Sequence, residues 1–388
     1  MSENIALYRK YRPQGFSEVI GQKHVVQTLT NALNNGAISH AYLFCGPRGS
    51  GKTTMARLLA KAVNCVGAPK SLTKAAEAKK SDKSASANSF GETRPCNECD
   101  SCQEILAGKS MDLIEIDAAS HTGVDDVREL ISGLKFAPVK SKYKIFIIDE
   151  CHQLSKSAAN ALLKTLEEPP AHAIFILATT EAHKMIPTIV SRCQRFDFKR
   201  LQTNEIIEKL EFILKKEHIK FETSALSLIA LNARGSFRDA ESLLDKCINF
   251  SSGTLKTADI KELLGIVEVS QISAFVDCLL AKDSKQAVLY IDTLVKEGVD
   301  LQEFTKTLIF YLRQALLLKI DTSFSEAQNS GFSQEEIEVL KQQVLKISEK
   351  DIQNMLERFI VAEQGLKYAV ILQLPLELAI VDLTQKPV

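Results

Sequence analysis

The chain has 388 residues, of which 45% are hydrophobic and 25% charged, and its 48 basic and 48 acidic side chains cancel. This balance is typical of a globular protein of two or three domains, and it excludes a disordered chain, a fibre and a disulfide miniprotein. Zero net charge also excludes a uniformly basic nucleic-acid coat, although a sum of charges says nothing about a local basic face.

Neither a membrane span nor a secretory signal is visible. The longest apolar run, Ala173 to Ala178, is far shorter than the ~20 residues that a span needs, so we expect no membrane contact. The N-terminus lacks a basic segment followed by an apolar one, so no secretory signal is expected. Nine cysteines in such a chain favour reduced thiols or metal ligands over disulfides. A cytoplasmic location is the expectation that fits these features.

Short apolar runs alternate with helical patterns over the first 200 residues. The predicted strands are 41–45, 113–116, 144–148 and 173–178, and they are nearly continuously apolar, as buried parallel strands are. The predicted helices between them are 25–33, 53–63, 125–134 and 157–168. This alternation predicts an α/β fold with a wound parallel sheet. After Leu201 the strand signals stop, and helices are predicted to the C-terminus with a break near 265–271.

Residues 66–95 differ from their surroundings because they are rich in Ala, Ser and Lys and contain no β-branched run. Such a segment buries too little apolar surface to offset the entropy lost on ordering it. We therefore predict a solvated, flexible insertion, and we interpret its lysines as solvated rather than as a nucleic-acid contact.

A phosphate-binding loop follows the first predicted strand and opens a helix. Residues 46–53 fit the pattern G-x-x-x-x-G-K-[ST] in the strand–loop–helix context that the motif requires. Glycines let backbone N–H groups surround phosphate oxygens, Lys52 places a cation on the terminal phosphates, and the Thr53 hydroxyl joins a Mg²⁺ shell. A glycine-rich turn with a chance lysine is the alternative, and the flanking elements argue against it. The residues expected to bind the nucleotide here are Gly46, Pro47, Arg48, Gly49, Ser50, Gly51, Lys52, Thr53 and Thr54.

A second part of the same site follows the strand 144–148, which ends in Asp149 and Glu150. This is the sheet edge at which α/β proteins bind ligands. Asp149 is suited to hold Mg²⁺, directly or through water, and Glu150 to orient and polarise an attacking water. Thr180, just after the strand 173–178, is placed to reach the γ-phosphate, although threonine is frequent at strand ends and the signal alone is weak.

A cysteine cluster predicts a metal site. Cys96, Cys99 and Cys102 form C-x₂-C-x₂-C, and Cys65 ends the helix after the phosphate-binding loop. Cys65, brought back across the insertion, completes the closed four-thiolate set of structural Zn²⁺ sites. An iron–sulfur cluster is the alternative, but the bacterial ferredoxin run continues with a fourth Cys and a Pro, which are missing after Cys102. The remaining cysteines, Cys45, Cys151, Cys193, Cys247 and Cys278, are predicted to be buried small hydrophobes.

The order of motifs along the chain resembles a known family. The motifs are residues 7–13, 19–22, the phosphate-binding loop, the four cysteines, 148–150, 161–170, 177–180, 191–193 and 235–240. Together they resemble the gamma/tau subunit of bacterial DNA polymerase III, a clamp-loader ATPase of the AAA+ class. The resemblance covers at least residues 5–247, and the combination is specific although each motif alone is not.

The resemblance implies roles for individual residues. Arg192 matches an arginine that acts in trans on the nucleotide of a neighbouring subunit, and Arg238 matches the lid arginine that reads the nucleotide of its own subunit. Thr180 matches the first sensor position. Residues 8–13, including Tyr11, and residues 19–20, including Val19, match the segment that packs on the adenine. Without the family pattern, a surface ion pair is the more ordinary interpretation of Arg192.

The resemblance also implies three domains. They are an AAA+ ATPase core over 1–200, with a zinc module over 65–105 that includes the insertion 66–95, a helical lid over 201–266, and a helical oligomerisation (collar) domain over 267–388. The spacer between the first two cysteines is longer than the family usually has. The zinc prediction survives, because the entropy of closing a loop grows only logarithmically with its length. Tau-type members continue further, so this chain resembles the gamma-type core or a shortened piece of a longer protein.

The implied function is that of an ATPase in a hetero-oligomeric, self-associating ring, with ATP, Mg²⁺ and Zn²⁺ as cofactors. Its partners are other clamp-loader subunits, the sliding clamp that the ring opens, and primer–template DNA, contacted through backbone phosphates in a salt-sensitive way. Another AAA+ machine, such as a branch-migration helicase or a protein unfoldase, is disfavoured by the zinc site and the helical C-terminus. A non-enzymatic scaffold subunit is disfavoured by the intact loop lysine and strand-end carboxylates.

Overall fold

The computed structural model describes residues 6–67, 94–120, 123–134, 136–251, 253–263, 268–320 and 334–384. Most of the predicted insertion, 66–95, lies outside these described residues. The chain divides into two compact units, one made of residues 1–220 with 229–246, and the other of residues 221–228 with 247–388.

A parallel sheet forms the centre of the first unit. Its strands are β1 Ala41–Cys45, β2 Leu113–Asp117, β3 Lys144–Asp149, β4 Ala173–Thr179 and β5 Gln194–Asp197. Their order is β2-β3-β4-β1-β5, and every neighbouring pair is parallel. Successive side chains of a strand point to opposite faces. Accordingly, Ile145 and Ile147 enter one hydrophobic cluster and Phe146 and Ile148 the other, so the sheet is covered on both faces.

Helices cover both faces of this sheet. Within the described part of the first 200 residues, the helices are α1 Leu7–Lys10, α2 Lys23–Asn34, α3 Lys52–Asn64, α4 Asp100–Leu106, α5 Val124–Gly133, α6 Lys156–Glu167 and α7 Pro187–Val190. Leu29 of α2 and Leu58 of α3 pack in one cluster, and Val127 of α5 and Leu162 of α6 in the other. This sandwich places the loop between β1 and α3 at the sheet edge where the parallel strands end.

Short elements continue the chain after the sheet. They are α8 Thr203–Lys216, β6 Lys220–Phe221, α9 Thr223–Asn232, α10 Phe237–Phe250, β7 Thr254–Leu255 and α11 Thr257–Leu263, with β6 and β7 paired in a second sheet. A capping box begins α8, because the Glu205 carboxylate accepts the Gln202 N–H at 2.9 Å.

The second unit has a core built by long helices. They are α12 Val269–Leu280, α13 Ser284–Lys296, α14 Leu301–Ile320, α15 Gln334–Lys346, α16 Glu349–Leu366 and α17 Leu374–Thr384. Phe275 lies at the centre, with ring centroids 5.3 Å from Phe304 and 6.1 Å from Phe359. The buried Gln343 amide is satisfied by the Tyr311 hydroxyl, which donates to Oε1 at 2.6 Å. Among the described helices, none combines the length and apolar character that crossing a membrane requires.

The predicted α/β fold with a helical C-terminal region is confirmed. The four predicted strands occur within one residue of their predicted bounds. The prediction missed β5, because this edge strand exposes Gln194, Arg195 and Asp197 and buries only Phe196. It also missed the two-residue strands β6 and β7, since the expectation was that strands stop at Leu201.

Candidate nucleotide site and cysteine cluster

Glycines shape the phosphate-binding loop between β1 and α3. Gly46, Gly49 and Gly51 have φ angles of +154°, +73° and +97°, which side-chain-bearing residues rarely adopt. A Cβ atom on Gly46 would lie 2.5 Å from the Phe198 carbonyl oxygen, and one on Gly49 would lie 1.9 Å from Ser236 Oγ. The Phe198 backbone at Gly46 and the Ser236 side chain at Gly49 therefore approach the loop so closely that only glycine fits at these two positions.

Lys52 and Thr53 open α3 on the site side. The buried Lys52 ammonium donates to the Gly46 carbonyl oxygen at 2.7 Å. Burial lowers the pKa of Lys52, and the carboxylates of Glu150 and Asp149 oppose this effect. Thr53 Oγ1 donates to Asp149 Oδ2 at 2.6 Å. That hydrogen bond joins the phosphate-binding loop to the end of β3.

The ends of β3 and β4 bring acidic and hydroxyl groups together. Because β4 lies between β1 and β3, Thr180 follows the strand between the loop and Asp149. Glu150 has φ +47°, which is uncommon for a residue with a side chain. Its Oε2 accepts from the Thr180 N–H at 3.2 Å and from the Thr180 hydroxyl at 2.9 Å. The hydrogen bonds between Thr180 and Glu150 must break before Thr180 can bind a γ-phosphate and before Glu150 can orient a water molecule.

The loop borders a cavity of about 720 Å³ in the first unit, a volume within the usual range for ligand sites. Its cationic lining residues are Arg9, Arg12, Arg48, Lys52, Arg57, Lys61, Lys209 and Arg238, and its carboxylates are Glu18, Glu115, Asp149, Glu150 and Glu241. The excess of cations suits a polyanion. The Arg238 guanidinium lies 5.4 Å from the centroid of the Tyr8 ring, so α10 and the N-terminal segment meet in this cavity.

The segment predicted to pack on adenine divides into lining and supporting residues. Tyr8 and Val19 line the cavity. Tyr11 is not one of its lining residues, because its ring packs edge-on against Phe212 at 6.4 Å and its hydroxyl donates to Glu217. Burial and this hydrogen bond raise the pKa of Tyr11 to about 12. The structure therefore places Tyr11 as a support of the N-terminal segment and not on the wall where we expected it.

Glu241 is a cavity residue that the sequence prediction missed. It lies on α10, three residues after Arg238, and is 6% exposed. Burial raises the pKa of Glu241 to about 7, and the nearby cations of Lys209 and Arg12 oppose this increase. Helical spacing was the available signal, because residues i and i+3 share a helix face. A carboxylate three residues after Arg238 is therefore expected on the same helix face as that arginine.

The four cysteines predicted as metal ligands lie together. The Sγ atoms of Cys65, Cys96, Cys99 and Cys102 are all within 4.8 Å of one another, which fits a tetrahedral thiolate set. The Cys96 N–H donates to Cys65 Sγ and the Cys99 N–H to Cys96 Sγ, both at 3.4 Å. Burial raises the pKa of Cys99, but hydrogen bonds from the Cys102 and Val66 backbone outweigh burial and bring it to about 7. These hydrogen bonds favour the thiolate that a metal needs at Cys99, whereas burial raises the pKa of Cys65 and of Cys102.

The other cysteines are less uniform than predicted. Cys45, Cys151 and Cys247 are buried, as expected, whereas Cys193 and Cys278 are only partly buried.

Family models match the chain in order along its length. A model described as DNA polymerase III, delta subunit, matches residues 21–90 and 66–202. One described as the DNA polymerase III clamp loader subunit, ATPase lid domain, matches 205–253, and one described as DNA polymerase III subunits gamma and tau domain III matches 255–387. DNA polymerase III subunit gamma of Buchnera aphidicola (subsp. Acyrthosiphon pisum) is 38% identical over 89% of this chain and 88% of its own length. The chain belongs to the DNA polymerase III gamma/tau family.

The tau members of this gamma/tau family are longer than the chain. DNA polymerase III subunit tau of Bacillus subtilis is 46% identical over 81% of this chain and 52% of its own length. The tau subunit of Escherichia coli is 38% identical over 94% of this chain and also 52% of its own length. The chain therefore spans about half the length of these two relatives.

Family membership and the parallel sheet together confirm the predicted fold class, an AAA+ P-loop core followed by a lid and a helical domain. The bounds 1–200, 201–266 and 267–388 stay a prediction. Among solved structures, the RuvB Holliday junction branch migration motor of Thermotoga maritima aligns with 69% of this chain and 79% of its own, at TM-score 0.46 and 19% identity. That likeness is too weak to bear on function.

Arg192, the predicted in-trans arginine of the gamma/tau family, lies just after α7 and outside the cavity lining. Its Nη2 donates to Glu167 Oε1 at 2.6 Å and its Nη1 to the Thr188 carbonyl oxygen at 2.8 Å. Both partners belong to the same chain, so Arg192 forms the surface ion pair that the sequence alone favours. Its role toward a neighbouring subunit stays a prediction.

Proposed function

We propose that this chain is an ATP-driven clamp-loader subunit of bacterial DNA polymerase III. The observation that carries the proposal is the 2.6 Å hydrogen bond between Thr53 Oγ1 and Asp149 Oδ2. A P-loop hydroxyl and a strand-end carboxylate at this distance are the protein groups that share one Mg²⁺ in P-loop NTPases. Membership of the gamma/tau family supports the process in which the nucleotide is used.

ATP binding in this proposal uses the groups along one wall of the cavity. The triphosphate takes the loop N–H groups and the N-terminus of α3, and Lys52 exchanges its loop carbonyl for the terminal phosphates. Thr53 and Asp149 would hold Mg²⁺, which would neutralise charge on the phosphates. Arg238 lines the same cavity and offers its guanidinium to the phosphates from α10, as the lid arginine of the family does.

Hydrolysis in this proposal depends on Glu150. Its carboxylate is the general base that orients and polarises the attacking water. Because Glu150 accepts two hydrogen bonds from Thr180, this base becomes available only when Thr180 releases it. A γ-phosphate that takes the Thr180 hydroxyl provides that release. Binding of the γ-phosphate to Thr180, the first sensor position, therefore frees the catalytic base Glu150 in the same step.

The proposed assembly is a ring in which Arg192 of one subunit completes the site of the next. Breaking the exposed pair with Glu167 costs little, because ion pairs of this kind contribute about 0–1 kcal/mol. Subunit angles then follow the nucleotide state, so the ring opens the sliding clamp and grips primer–template DNA in the cytoplasm. Other clamp-loader subunits and further copies of this chain are its partners.

We also propose that Cys65, Cys96, Cys99 and Cys102 hold a structural Zn²⁺. Four sulfur atoms within 4.8 Å of one another match a site of four Zn–S bonds of ~2.3 Å. A complete thiolate set leaves no open position on the metal, so its contribution is to the fold around α4 and not to hydrolysis.

A steady-state ATPase assay tests the function. The chain, reconstituted with its partner subunits, is measured alone, with sliding clamp, and with clamp plus primed DNA, with Glu150→Gln as the inactive control. We expect hydrolysis that clamp and primed DNA together stimulate. A hydrolysis rate that neither the clamp nor primed DNA changes would indicate a different AAA+ machine. No hydrolysis under any condition would indicate a scaffold subunit.

A further inference from the structure

His152 lies where the ends of β3 and β4 meet, on the turn that follows Glu150. Its side chain is only 6% exposed. Nδ1 lies 3.0 Å from Thr179 Oγ1 and 3.5 Å from Glu150 Oε2, and Nε2 lies 3.5 Å from Glu181 Oε1. The imidazole therefore contacts the carboxylate oxygen that Thr180 also holds.

The hydrogen bonds around Thr179 define which imidazole nitrogen carries the proton. Thr179 is fully buried, and its Oγ1 accepts the Glu181 N–H at 3.0 Å. Its own hydroxyl proton needs an acceptor, because a buried donor without a partner is costly. His152 Nδ1 is that acceptor when it carries no proton. The neutral ring then has its proton on Nε2, directed toward Glu181.

We propose that His152 is a positioning residue whose charge controls the release of Glu150. This proposal rests on the proposed function, in which Glu150 is the catalytic base. In the neutral ring, the Nδ1 lone pair faces Glu150 Oε2 and offers it no hydrogen bond. In the protonated ring, Nδ1–H has Thr179 Oγ1 as its nearer acceptor at 3.0 Å, and the positive charge of the ring lies 3.5 Å from Glu150 Oε2. Protonation therefore attracts the Glu150 carboxylate and holds it in its hydrogen bonds with Thr180.

The other charged groups near His152 do not reverse this effect. Glu181 faces Nε2, and it accepts from Lys184 Nζ at 2.8 Å and lies 3.6 Å from His183 Nε2. The Lys184 hydrogen bond lowers the pKa of Glu181, so Glu181 stays ionised across the pH range of interest. The Glu181 and Glu150 carboxylates therefore both attract the ring once it gains a proton.

His152 acts on the rate and not on nucleotide affinity, since it does not line the cavity. Because a protonated His152 holds Glu150, we expect kcat to fall severalfold from pH 8 to pH 6 while KM for ATP stays within about twofold. His152→Asn cannot become positively charged. Its kcat should therefore decrease much less than that of the wild type between pH 8 and pH 6.

The kinetic experiment measures kcat and KM from pH 5.5 to 8.5 at saturating Mg²⁺ for the wild type, His152→Asn, His152→Gln and Glu241→Gln. Glu241→Gln is the matched control, because it removes a cavity carboxyl whose pKa burial raises to about 7 and keeps His152. A fall in kcat that both His152 variants retain at its wild-type size overturns the proposal. A fall that disappears only in Glu241→Gln overturns it equally and assigns the titration to Glu241.

A second readout is independent of hydrolysis and separates this proposal from the proposed function. The ¹⁵N NMR shifts of the His152 ring at pH 8 report which nitrogen carries the proton. We expect Nε2–H in the wild type and loss of that preference in Thr179→Val, which keeps the side-chain shape and removes the hydroxyl. A protein without ATPase activity but with this pattern refutes only the proposed function. An Nδ1–H ring in the wild type refutes the positioning mechanism.

Discussion

Glu150 shows how a single backbone angle determines where a catalytic side chain lies. Its φ of +47° turns the chain directly after β3, so the carboxylate reaches the end of β4 and not the loop. Asp149 points the other way, toward Thr53. In the proposed function these adjacent acidic residues take separate tasks, Asp149 as a Mg²⁺ ligand and Glu150 as the catalytic base.

Replacing Glu150 by glutamine should separate binding from chemistry. Gln keeps the shape of the side chain and its ability to accept from Thr180, but it cannot take a proton from water. We expect ATP to bind with wild-type affinity and kcat to fall by about 10²–10⁴, the usual contribution of a general base. Equilibrium binding of a fluorescent ATP analogue and single-turnover hydrolysis measure the two effects. A wild-type hydrolysis rate would show that Glu150 is not the base.

Glu241 gives the molecule a pH-dependent stability with a definite sign. Its pKa rises from the ordinary 4.5 to about 7 because the carboxyl is buried. The folded chain therefore binds a proton that the unfolded chain has already lost between these values. The stability that this group contributes is complete below pH 4.5 and disappears as the pH rises through 7.

Glu241→Gln carries no charge at any pH and should remove this dependence. We expect the variant to be more stable than the wild type at pH 8, by at most on the order of 3 kcal/mol, and the gain to vanish toward pH 5. Urea unfolding at pH 5, 6.5 and 8 measures it, with the exposed Glu208→Gln on α8 as the control. A gain of equal size at pH 5 and pH 8 would mean that burial of the charge is not its cause.

At the scale of elements, α3 links the two sites of the first unit. It begins at Lys52 in the phosphate-binding loop and ends at Asn64, directly before Cys65. The buried Lys61 on this helix donates to the Gln14 side chain at 2.9 Å, so α3 also fixes the N-terminal segment beside the cavity. One helix thus aligns the loop, the cavity wall and the first cysteine.

Apolar runs and fixed motifs were sufficient to predict most of these elements. β3 and β4 were visible because burial on both faces demands continuous apolar sequence. β5 was not, since an edge strand such as Gln194–Asp197 keeps polar side chains. The loop and the cysteines were predicted from local spacing. The Glu150–Thr180 pair and the separation of Tyr11 from the cavity depend on how distant segments pack, which local spacing does not encode.

The cysteine cluster predicts one zinc ion per chain. Elemental analysis of the purified protein should find zinc near one equivalent, and Cys99→Ser should lose it, because three thiolates hold the metal less tightly than four. Cys278→Ser, outside the cluster, is the matched control. Deleting residues 70–90 should leave the zinc in place, since none of them is a proposed ligand. Iron, or no metal in the wild type, would contradict the assignment.

At the scale of the whole molecule, the proposed function gives the chain its own nucleotide-binding groups but takes one cation, Arg192, from a neighbouring subunit. Lys52, Arg238 and Asp149 line the cavity, while Arg192 lies elsewhere and pairs with Glu167. An isolated chain should therefore bind ATP and hydrolyse it slowly. Assembly into the proposed ring brings the Arg192 of a neighbour, and an arginine supplied in this way contributes about 10³–10⁵ in rate in known phosphoryl-transfer systems.

Arg192→Ala and Lys52→Ala should therefore fail for different reasons. Arg192→Ala keeps its own nucleotide groups and should bind ATP normally, but a ring made only of this variant should not hydrolyse it. Lys52→Ala loses the loop cation that meets the terminal phosphates and should not bind ATP. It still presents a wild-type Arg192 to its neighbour.

Mixing these two inactive variants is the most direct test of a ring ATPase whose sites are shared between subunits. Equal amounts are co-assembled with the partner subunits, clamp and primed DNA, and ATP hydrolysis is compared with each variant alone. We predict partial recovery, because some interfaces then place an intact Arg192 against an intact phosphate-binding loop. If both variants assemble and the mixture stays inactive, Arg192 does not act on a neighbour and the shared-site account is wrong.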